Sequence, residues 1–355
     1  MTLERLRLGL IGAGKNMRAR HIPGFRNLEQ VEIVAVCNRR QASTAAAARE
    51  FGIAKTFEHW EDLVADPDID AVVIGTWPYL HCPIAVGALE CGKHVLSEAR
   101  MSLNAAEAHR MRNAARQNSH LVAQLVPSPF GLAGNEVVLE LIDAGFLGEL
   151  REVEVVHQTD ALGNPDSPLS WRQDAALSGF NMLTLGILHE TLLRWVPPPV
   201  RVLAQVHAFI GSRVDPESGV ERPVGTPDSV QVLAVLENGA RATYRISGVH
   251  PFDMGASIRL AGTQGVLHYD LSRDQLTGAS RTVHALDAGD LAKIPIPPEK
   301  ERHWTVEADF VESIRTGNGV RFTDFDSGVS YMEFTEAVAR SASTGHAVDL
   351  PLVVP

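Results

Sequence analysis

Hydrophobic positions in the first 125 residues fall into short apolar runs that alternate with amphipathic stretches. Three of these runs cover residues 6–12, 31–37 and 69–76. The last, IDAVVIGT, is apolar at nearly every position, which is typical of a parallel strand buried on both faces. Helix signals lie between the runs, and two further runs at 94–97 and 121–125 continue the alternation. The pattern predicts βαβ units around a parallel sheet.

Beyond residue 131 the periodicity changes to that of an antiparallel sheet. The segment 229–247 has two alternating runs separated by Asn238-Gly239, a strong hairpin signal. The segment 256–271 predicts a second hairpin. Because these strands need no helical crossovers, we expect an antiparallel sheet with helices on one face.

Composition narrows the class of protein without identifying it. The chain has 355 residues, enough for two domains, and a net charge of −11, which gives no support to nucleic-acid binding. It lacks an apolar run long enough for a membrane span, and its charged N-terminal stretch is unlike a signal peptide. The three cysteines form no CxxC pair, so no metal site is expected. We therefore expect a cytoplasmic protein.

A glycine-rich turn follows the first predicted strand. Gly12 and Gly14 lie where the backbone of a dinucleotide-binding fold approaches a pyrophosphate, and a helix N-terminus follows. Met17 occupies the place of the third glycine of G-x-G-x-x-G, which predicts looser helix–strand packing. A turn that only packs is the alternative. We predict that this segment binds the cofactor through Gly12, Gly14, Lys15, Asn16 and Met17.

The end of the second strand bears on cofactor choice. An NAD site usually has an acid here, whereas this chain has Asn38, followed by Arg39 and Arg40. Loss of the acid removes repulsion toward a 2′-phosphate, and an arginine can pair with that phosphate. The pattern predicts NADP as the preferred cofactor, with NAD possible, and cofactor contacts from Asn38 and Arg39. A solvated basic pair is the alternative.

The segment 69–98 makes a resemblance to a known family specific. It contains a strand, Thr76, His81, the sequence GKHV and Glu98, which resemble the T-P-x-x-x-H, A-G-K-H-V and E-K-P pattern of the Gfo/Idh/MocA (glucose–fructose oxidoreductase/inositol dehydrogenase) superfamily. The C-terminal half is similar in SWRQDAALSGFN, LAGTQGVLHYD and ADFVESIRTG. The resemblance covers essentially the whole chain.

That resemblance implies a fold and a domain organisation. The implied fold class is α/β: an N-terminal Rossmann dinucleotide-binding domain at 1–127, and a C-terminal α+β domain with a large open antiparallel sheet at 128–355. It also implies cofactor contacts from Thr76, Trp77, His81 and Glu98. The open sheet implies a homo-oligomer.

Three functional positions of the family depart from its pattern here. E-K-P becomes Glu98-Ala99-Arg100, so the lysine that would bridge nicotinamide and substrate is missing. In the second-domain motif, Thr184 stands for an aspartate and Leu188 for a histidine. The usual acid/base groups are therefore absent, which makes this a divergent member.

Two residues are the candidate catalytic substitutes. Arg100 can polarise an oxygen, although it is too basic to exchange a proton near neutral pH. A solvated arginine is the alternative. His189 has a suitable intrinsic pKa but lies one residue beyond the family position, about 100° around a helix. A packed structural histidine is the alternative. Glu190 is expected to form a helical ion pair with Arg194.

Substrate contacts are expected mainly from the second domain. Trp171 and Arg172 offer an indole face for a sugar ring and donors for hydroxyl groups. Asn181, Thr184, Leu188 and Thr191 share one helical stripe, which should face the cleft if the family geometry holds. The first two are expected to contact substrate. Tyr79, in the first domain, is a further candidate, with a packing aromatic as its alternative.

Three functions remain open at this point. The first is an NAD(P)-dependent oxidoreductase acting on a sugar, cyclitol or related polyol with a non-standard proton donor. The second is a catalytically silent sensor that kept the cofactor pocket. The third is a redox-neutral glycosidase or lyase that uses tightly bound NAD. We favour the first because most cofactor positions persist.

Overall fold

The structure is a computed structural model that describes residues 5–127, 132–281 and 291–353. Within this described chain, two compact units are present. The first contains residues 5–127 and 305–332, and the second contains residues 132–304 and 333–353. Each unit has its own central sheet.

The first unit is built on a six-stranded parallel sheet in the order β3-β2-β1-β4-β5-β6. Its strands are β1 (Leu6–Ile11), β2 (Val31–Cys37), β3 (Lys55–Phe57), β4 (Ala71–Ile74), β5 (His94–Ser97) and β6 (Ala123–Leu125). All four residues of β4 are buried, as the apolar run predicts. The chain reverses its direction of travel across the sheet between β1 and β4, which is the switch point where ligands bind in such folds. The predicted Rossmann domain is confirmed.

Helices connect the parallel strands. They are α1 (Ile22–Arg26), α2 (Gln41–Phe51), α3 (Trp60–Ala65), α4 (His81–Glu90) and α5 (Ala105–Gln117). The Asn104 side chain accepts the Glu107 N–H at 2.9 Å and caps α5, as the sequence predicts. A π-helical turn over Met17–His21 leads into α1.

The second unit is built on a nine-stranded sheet in the order β16-β15-β14-β13-β7-β12-β11-β8-β17, and β9 and β10 form a separate pair. The strands are β7 (Leu150–Gln158), β8 (Pro199–His207), β9 (Ser212–Val214), β10 (Glu221–Pro223), β11 (Ser229–Leu236), β12 (Arg241–Ser247), β13 (Gly255–Gly262), β14 (Gly265–Asp270), β15 (Gln275–Ser280), β16 (Ala292–Lys293) and β17 (Val348–Asp349). Both predicted hairpins, β11–β12 and β13–β14, are present. Neighbours run antiparallel except β7 and β12, which are parallel, so the sheet is mixed.

The remaining helices are α6 (Asn135–Asp143), α7 (Ala175–Ser178), α8 (Leu185–Leu192), α9 (Val306–Thr316) and α10 (Phe325–Thr344). Helix α8 lies on one face of the second sheet. His189 of α8 contacts Tyr244 of β12, and the apolar side chains of Leu185, Leu188 and Leu192 have no exposed surface. This interface forms part of the core of the second unit.

The segment 305–332 belongs to the first unit, although the sequence analysis places all of 128–355 in the second domain. Phe310 of α9 packs edge-to-face on Phe25 of α1, with ring centroids 6.4 Å apart. The Leu125 N–H donates to the Thr323 carbonyl at 2.8 Å, which covers the outer edge of β6. These contacts join residues almost 200 or more positions apart, so local sequence patterns do not indicate them.

A buried ion network ties this returning segment to the parallel sheet. The His21 ring lies between two carboxylates, with Nε2 2.9 Å from Glu98 and Nδ1 2.6 Å from Glu307. Burial alone would lower the pKa of His21, but the two carboxylates outweigh it and raise that pKa to about 9. His21 is therefore a buried cation at neutral pH.

We expect this network to make stability depend on pH in the alkaline range. Because the pKa of folded His21 exceeds its ordinary value of 6.5, its contribution is fully present below pH 6.5 and is lost as pH rises through about 9. The His21→Gln variant should therefore be less stable than wild type by on the order of 2–3 kcal/mol at pH 6 and by much less at pH 10. Urea unfolding of both proteins across this range measures the difference.

A His120→Gln variant provides the matched control, because His120 is an exposed histidine of the same unit. Its stability should track that of wild type at every pH. If the difference between wild type and His21→Gln is the same at pH 6 and pH 10, the charged state assigned to His21 is wrong.

Candidate functional site

A cavity of about 480 Å³ lies in the first unit at the carboxyl ends of β1, β2 and β4. It is lined by residues from the glycine turn, the end of β2 and the segment after β4. They include Gly12, Gly14, Asn38, Arg39, Thr76, Trp77 and Tyr79. The cavity therefore lies at the switch point of the sheet, where the sequence predicts the cofactor.

Two glycines allow the loops after β1 and β4 to touch. Gly12 has φ +89°, and a Cβ there would lie 2.7 Å from the backbone of Gly75 and Thr76. A Cβ on Gly75 would lie 2.5 Å from the Gly12 carbonyl oxygen. Neither residue can carry a side chain without moving the other loop. Gly75 is part of the apolar run at 69–76, and the sequence analysis assigned it no role in the site.

Met17, in the place of the third glycine, has a packing role. Its side chain is buried, with 1% of its surface exposed. A Cβ on Gly75 would lie 2.8 Å from Met17 Cε, so the thioether fills space that the glycine leaves open. The π-helical turn begins at this residue. Met17 therefore supports the loop at Gly75 by packing against it, and its side chain is not part of the cavity wall.

Lys15 and Asn16 are exposed at the start of the helical segment that follows the glycine turn. The Asn16 amide donates a hydrogen bond to Glu98, which also contacts His21. Burial raises the pKa of Glu98, but His21 and Asn16 outweigh this effect, and the resulting pKa lies below its usual value. The structure thus brings together Asn16 and Glu98, both predicted cofactor residues.

Asn38 braces the glycine turn from the end of β2. Its Oδ1 accepts the Ala13 N–H at 2.7 Å, and its Nδ2 donates to the Ser43 carbonyl at 3.0 Å. An aspartate could accept the first bond but could not donate the second. The Arg39 guanidinium lies 5.2 Å above the Trp77 ring, a cation–π distance. The structure places Arg39 and Trp77 together in the cavity wall.

Thr76 and His81 lie at the other side of the turn. The Thr76 Oγ1 atom is buried and makes no hydrogen bond to any residue in the described part of the chain. His81 is buried, and its ring nitrogens lie 3.0 Å from the Thr76 carbonyl and 2.8 Å from the Arg100 carbonyl. Burial lowers the pKa of His81 despite these neighbours. His81 therefore holds the loops together from outside the cavity wall.

These observations test whether the residues suit a dinucleotide. The N–H groups of Gly12, Ala13 and Gly14 donate within the protein. A Cβ on Gly14 would meet only the Gly75 carbonyl oxygen, at 3.8 Å, so a ligand can approach the backbone of the turn closely. The buried Thr76 hydroxyl in the wall is a hydrogen-bonding group that a ligand can satisfy. The cavity therefore fits the cofactor that the family resemblance implies.

Arg100, the first candidate for catalysis, has 6% of its surface exposed. Its carbonyl accepts from His81, and the Ala99–Arg100 peptide bond is cis. This burial does not agree with the alternative of a solvated arginine. The electrostatic role of its guanidinium stays a prediction.

His189, the second candidate, lies in the core of the second unit. Its ring stacks on Phe334 with centroids 3.7 Å apart, and Nδ1 lies 2.8 Å from the Tyr244 hydroxyl. Complete burial lowers its pKa to about 3. This geometry favours the alternative of a packed structural histidine, so we do not retain His189 as a proton donor. The expected ion pair between Glu190 and Arg194 is confirmed at 2.6 Å.

The predicted stripe of Asn181, Thr184, Leu188 and Thr191 on one helix is wrong. Helix α8 begins only at Leu185, so the first two residues precede it, and the last two are fully buried. The positive φ of Leu183 breaks the helical periodicity there. Thr184 Oγ1 lies 2.6 Å from Nδ1 of His157 on β7. His157 lies 27 residues earlier in the chain, so the local pattern around Thr184 does not indicate it.

Trp171 and Arg172, the other predicted substrate residues, form a stacked pair. The Arg172 guanidinium lies 4.3 Å above the Trp171 ring. The Ser178 hydroxyl donates to the Arg172 carbonyl at 3.2 Å, and the Asn181 amide donates to the Ser178 carbonyl at 2.5 Å. Asn181 is buried and supports this turn. Tyr79, in contrast, lies in the first unit in the wall of the cavity.

Several residues of the cavity wall were not identified from the sequence. They include Arg18, Ser43 and the segment 58–61. Arg18 donates from Nε to the Ala13 carbonyl at 2.9 Å and also pairs with Glu50. Ser43, in the first turn of α2, could have been predicted from the strand–helix pattern. The segment 58–61 follows β3, whose three residues are too few to give a periodic signal.

Among the described residues, no group of three or more histidines, cysteines, aspartates or glutamates could hold a metal ion. None of the described helices combines the length and the apolar character that a membrane crossing requires.

Comparison with known proteins identifies the family. Residues 6–125 match the model of the oxidoreductase family with an NAD-binding Rossmann fold, Gfo/Idh/MocA. Residues 136–268 match the Gfo/Idh/MocA C-terminal domain. The two matches together cover more than half of the chain.

Individual relatives are similar over nearly their full lengths. Levoglucosan dehydrogenase from Pseudarthrobacter phenanthrenivorans is 25% identical, over 99% of this chain and 100% of its own. The 1,5-anhydro-D-fructose reductase of Ensifer adhaerens is 27% identical, over 97% of this chain and 98% of its own. A solved structure of levoglucosan dehydrogenase with NADH and L-sorbose has the same fold, with a TM-score of 0.85, 24% identity, and coverage of 99% of this chain and 100% of that one. The chain therefore belongs to the Gfo/Idh/MocA family of NAD(P)-dependent oxidoreductases.

Proposed function

We propose that this protein transfers a hydride between NADP and a hydroxyl-bearing carbon of a sugar, cyclitol or related polyol. The observation that carries the proposal is the cavity at the switch point, with its glycine turn and its buried Thr76 hydroxyl. Similarity to a levoglucosan dehydrogenase and to a 1,5-anhydro-D-fructose reductase supports a carbohydrate substrate. A second solved levoglucosan dehydrogenase complex contains NADH and levoglucosan.

The arrangement at the end of β2 supports NADP over NAD. Asn38 uses its side-chain amide within the loop, so no carboxylate stands at this position to accept from the ribose hydroxyls. Arg39 is in the wall beside Trp77, where its guanidinium can pair with a 2′-phosphate. Ser43, in the first turn of α2, adds a hydroxyl and the positive end of the helix dipole.

The pair of Trp171 and Arg172 supports a carbohydrate substrate. An indole face packs against the C–H face of a sugar ring, and a guanidinium donates to several hydroxyl groups at once. Arg172 is exposed and Trp171 is half-buried, so both are accessible in the second unit. These properties suit a polar, ring-shaped ligand.

A silent cofactor-binding sensor is the second candidate. The observation that favours it is Ala99, which replaces the lysine of E-K-P, together with the burial of His189 in the core. A redox-neutral enzyme with tightly held NAD is the third candidate. Net oxidation or reduction of the cofactor separates the first function from the other two.

We also infer that the protein forms a homo-oligomer through its open sheet. Leu203 of β8 and Leu233 of β11 are directly paired neighbours whose exposed surfaces are 42% and 59%. An adjoining apolar pair on a sheet face suits a symmetric contact with a second copy. Like the cofactor preference, this stays a prediction.

We expect cofactor-dependent turnover with at least one member of a panel of aldoses, ketoses, inositols, anhydrosugars and sugar acids. Absorbance at 340 nm measures the reaction in both directions with NADP(H) and NAD(H). An Arg172→Ala variant should raise KM at least about tenfold, because it loses charge-assisted hydrogen bonds. Arg241→Ala, which removes an exposed arginine of the second sheet, is the matched control.

The two other candidates predict different results in the same experiment. Cofactor binding without turnover across the panel would favour the sensor. A cofactor that co-purifies and resists dialysis, with product formed but no net change at 340 nm, would favour the redox-neutral enzyme.

We expect the Arg39→Ala variant to bind NADPH at least about tenfold more weakly, because a phosphate loses a charge-assisted hydrogen bond. Its affinity for NADH should change by less than about threefold, since NADH lacks that phosphate. Fluorescence titration measures both affinities, and Arg40→Ala is the control. Tighter binding of NADH than NADPH by the wild-type protein would contradict the NADP preference.

We expect Gly12→Ala and Gly14→Ala to differ in stability and to share a loss of NADPH affinity. Gly12→Ala should lose more than about 2 kcal/mol of unfolding free energy, because its φ is positive and its Cβ meets the backbone of Gly75. Gly14→Ala should keep wild-type stability within about 1 kcal/mol, since its Cβ has space. Both should weaken NADPH binding, measured by fluorescence. If Gly12→Ala is as stable as Gly14→Ala, the close approach of the loops is wrong.

A further inference from the structure

A buried arginine of the second unit has only backbone carbonyls as partners in the described part of the chain. Arg213 lies on β9, and 2% of its surface is exposed. None of the described carboxylates pairs with its guanidinium. Burying a charge in this way is costly unless hydrogen bonds replace its hydration. The carbonyls that surround Arg213 therefore depend on it as much as it depends on them.

Three of these carbonyls belong to one loop. Nη1 of Arg213 donates to the carbonyls of Asn164 at 2.7 Å and Ser167 at 3.0 Å, and Nη2 donates to that of Leu162 at 2.5 Å. The loop, residues 159–170, follows β7. A guanidinium carries its donors in one rigid plane, so the carbonyls that bond to it are held in fixed directions. Arg213 therefore fixes the path of this loop.

The loop leads directly into the turn that carries Trp171 and Arg172, the predicted substrate residues. Two positions before that turn, the Leu169 N–H donates to the carbonyl of Val214, the neighbour of Arg213 on β9, at 2.8 Å. The ribbon of β9 and β10 thus holds the loop along its length. The start of the turn is fixed by contacts that are distant from it in the sequence.

The segment after β10 holds the backbone of the turn itself. The Gly225 N–H donates to the Gln173 carbonyl at 2.8 Å, and the Thr226 hydroxyl donates to the Arg172 carbonyl at 3.0 Å. Thr226 is buried. A Cβ on Gly225 would lie 3.0 Å from Ala175, so the two segments approach each other closely.

The turn therefore combines accessible side chains with a fixed backbone. Arg172 is exposed and Trp171 is half-buried. In contrast, the Arg172 carbonyl accepts from two buried hydroxyls, those of Thr226 and Ser178. A ligand that binds to a turn already ordered in this way loses less conformational entropy than one that must order a mobile turn.

We propose that Arg213 and Thr226 are positioning residues for the substrate, which hold the turn of Trp171 and Arg172 in the geometry that binds a sugar ring. This inference rests on the proposed function. Arg213 acts through the loop that precedes the turn, and Thr226 acts through the backbone of Arg172.

The first test uses Thr226→Val in the full-length protein with the substrate found in the panel. Valine keeps the volume of threonine but cannot donate to the Arg172 carbonyl. We expect KM to rise at least about fivefold, while kcat and NADPH affinity stay within about threefold, because the turn contributes to substrate binding. Thr226→Ser, which keeps the hydroxyl, should restore KM. Thr277→Val is the matched control, since it removes a hydroxyl that donates to the His268 carbonyl at 3.3 Å elsewhere in the second unit.

A mutant cycle distinguishes positioning from a general loss of structure. In a background that carries Trp171→Ala and Arg172→Ala, Thr226→Val should change kcat/KM by less than about twofold, because the side chains that it positions are absent. If Thr226→Val lowers kcat/KM by the same factor in both backgrounds, the positioning role is wrong.

A second measurement on Arg213 does not require turnover. Arg213→Met fills similar space without donors, so amide hydrogen exchange of the loop at 159–170 should be at least about fivefold faster than in wild type, with that of β11 unchanged. Arg213→Lys, which reaches fewer of the three carbonyls, should give an intermediate rate, and it replaces Arg213→Met if that variant does not fold. Arg273→Met, which removes an exposed arginine of the same unit, is the control.

The outcomes separate this inference from the proposed function. If wild type turns over but Thr226→Val raises KM by less than about fivefold, or loses kcat and NADPH affinity together with KM, the positioning role is wrong and the proposed function stands. Loop exchange in the Arg213 variant that is as slow as in wild type would overturn the role of Arg213. Absence of wild-type turnover across the panel would overturn both.

Discussion

The cofactor site depends on the contact between two loops that carry no side chains at their point of approach. Gly12 and Gly75 bring the ends of β1 and β4 so close that a single Cβ on either would lie within 2.7 Å of the other backbone. This contact positions the two segments that form most of the cavity wall. The positive φ of Gly12 turns the chain toward the π-helical segment, and the segment after Gly75 carries Thr76, Trp77 and Tyr79 into the wall.

Side chains behind that contact maintain it. Met17 fills the space over Gly75, Asn38 bonds to the N–H of Ala13, and His81 links the carbonyls of Thr76 and Arg100. Three of the predicted cofactor residues thus act mainly by holding backbone in place. A dinucleotide site needs a close approach to the backbone of the turn more than it needs particular side chains. The third glycine of the fingerprint serves helix–strand packing, and Met17 fills that space here.

The candidate catalytic positions depart further from the family pattern than the cofactor site does. Ala99 removes a lysine at the end of β5, and the histidine of α8 points into a core where burial keeps it neutral. The described residues of the second unit place a different histidine, His157, against the threonine that stands for the family's aspartate.

Much of the fold could be predicted from local patterns, because they reflect local physics. The apolar run at 69–76 marks a strand buried on both faces, Asn238-Gly239 marks a hairpin, and Asn104 caps α5. In contrast, β3 has only three residues, and nothing near residues 305–332 indicates that they pack on the first unit. Such assignments depend on contacts between distant segments.

The sequence by itself determined the family, the two kinds of sheet, the glycine turn and the absence of the family's lysine, because each depends on which residues stand at short, regular spacings. Only the tertiary structure decided the roles of individual histidines. His21, His81, His157 and His189 share one intrinsic pKa, yet two carboxylates raise the pKa of His21 to about 9 and burial lowers that of His189 to about 3. The two carboxylates beside His21 lie more than 70 residues away along the chain, and Tyr244 and Phe334, which pack around His189, lie more than 50 residues away. The hydrogen-bonding partners of His81 and His157 lie within about 30 residues. Folding alone brings each ring to its carboxylate, carbonyl or hydroxyl, and the electrostatic environment found there fixes its role.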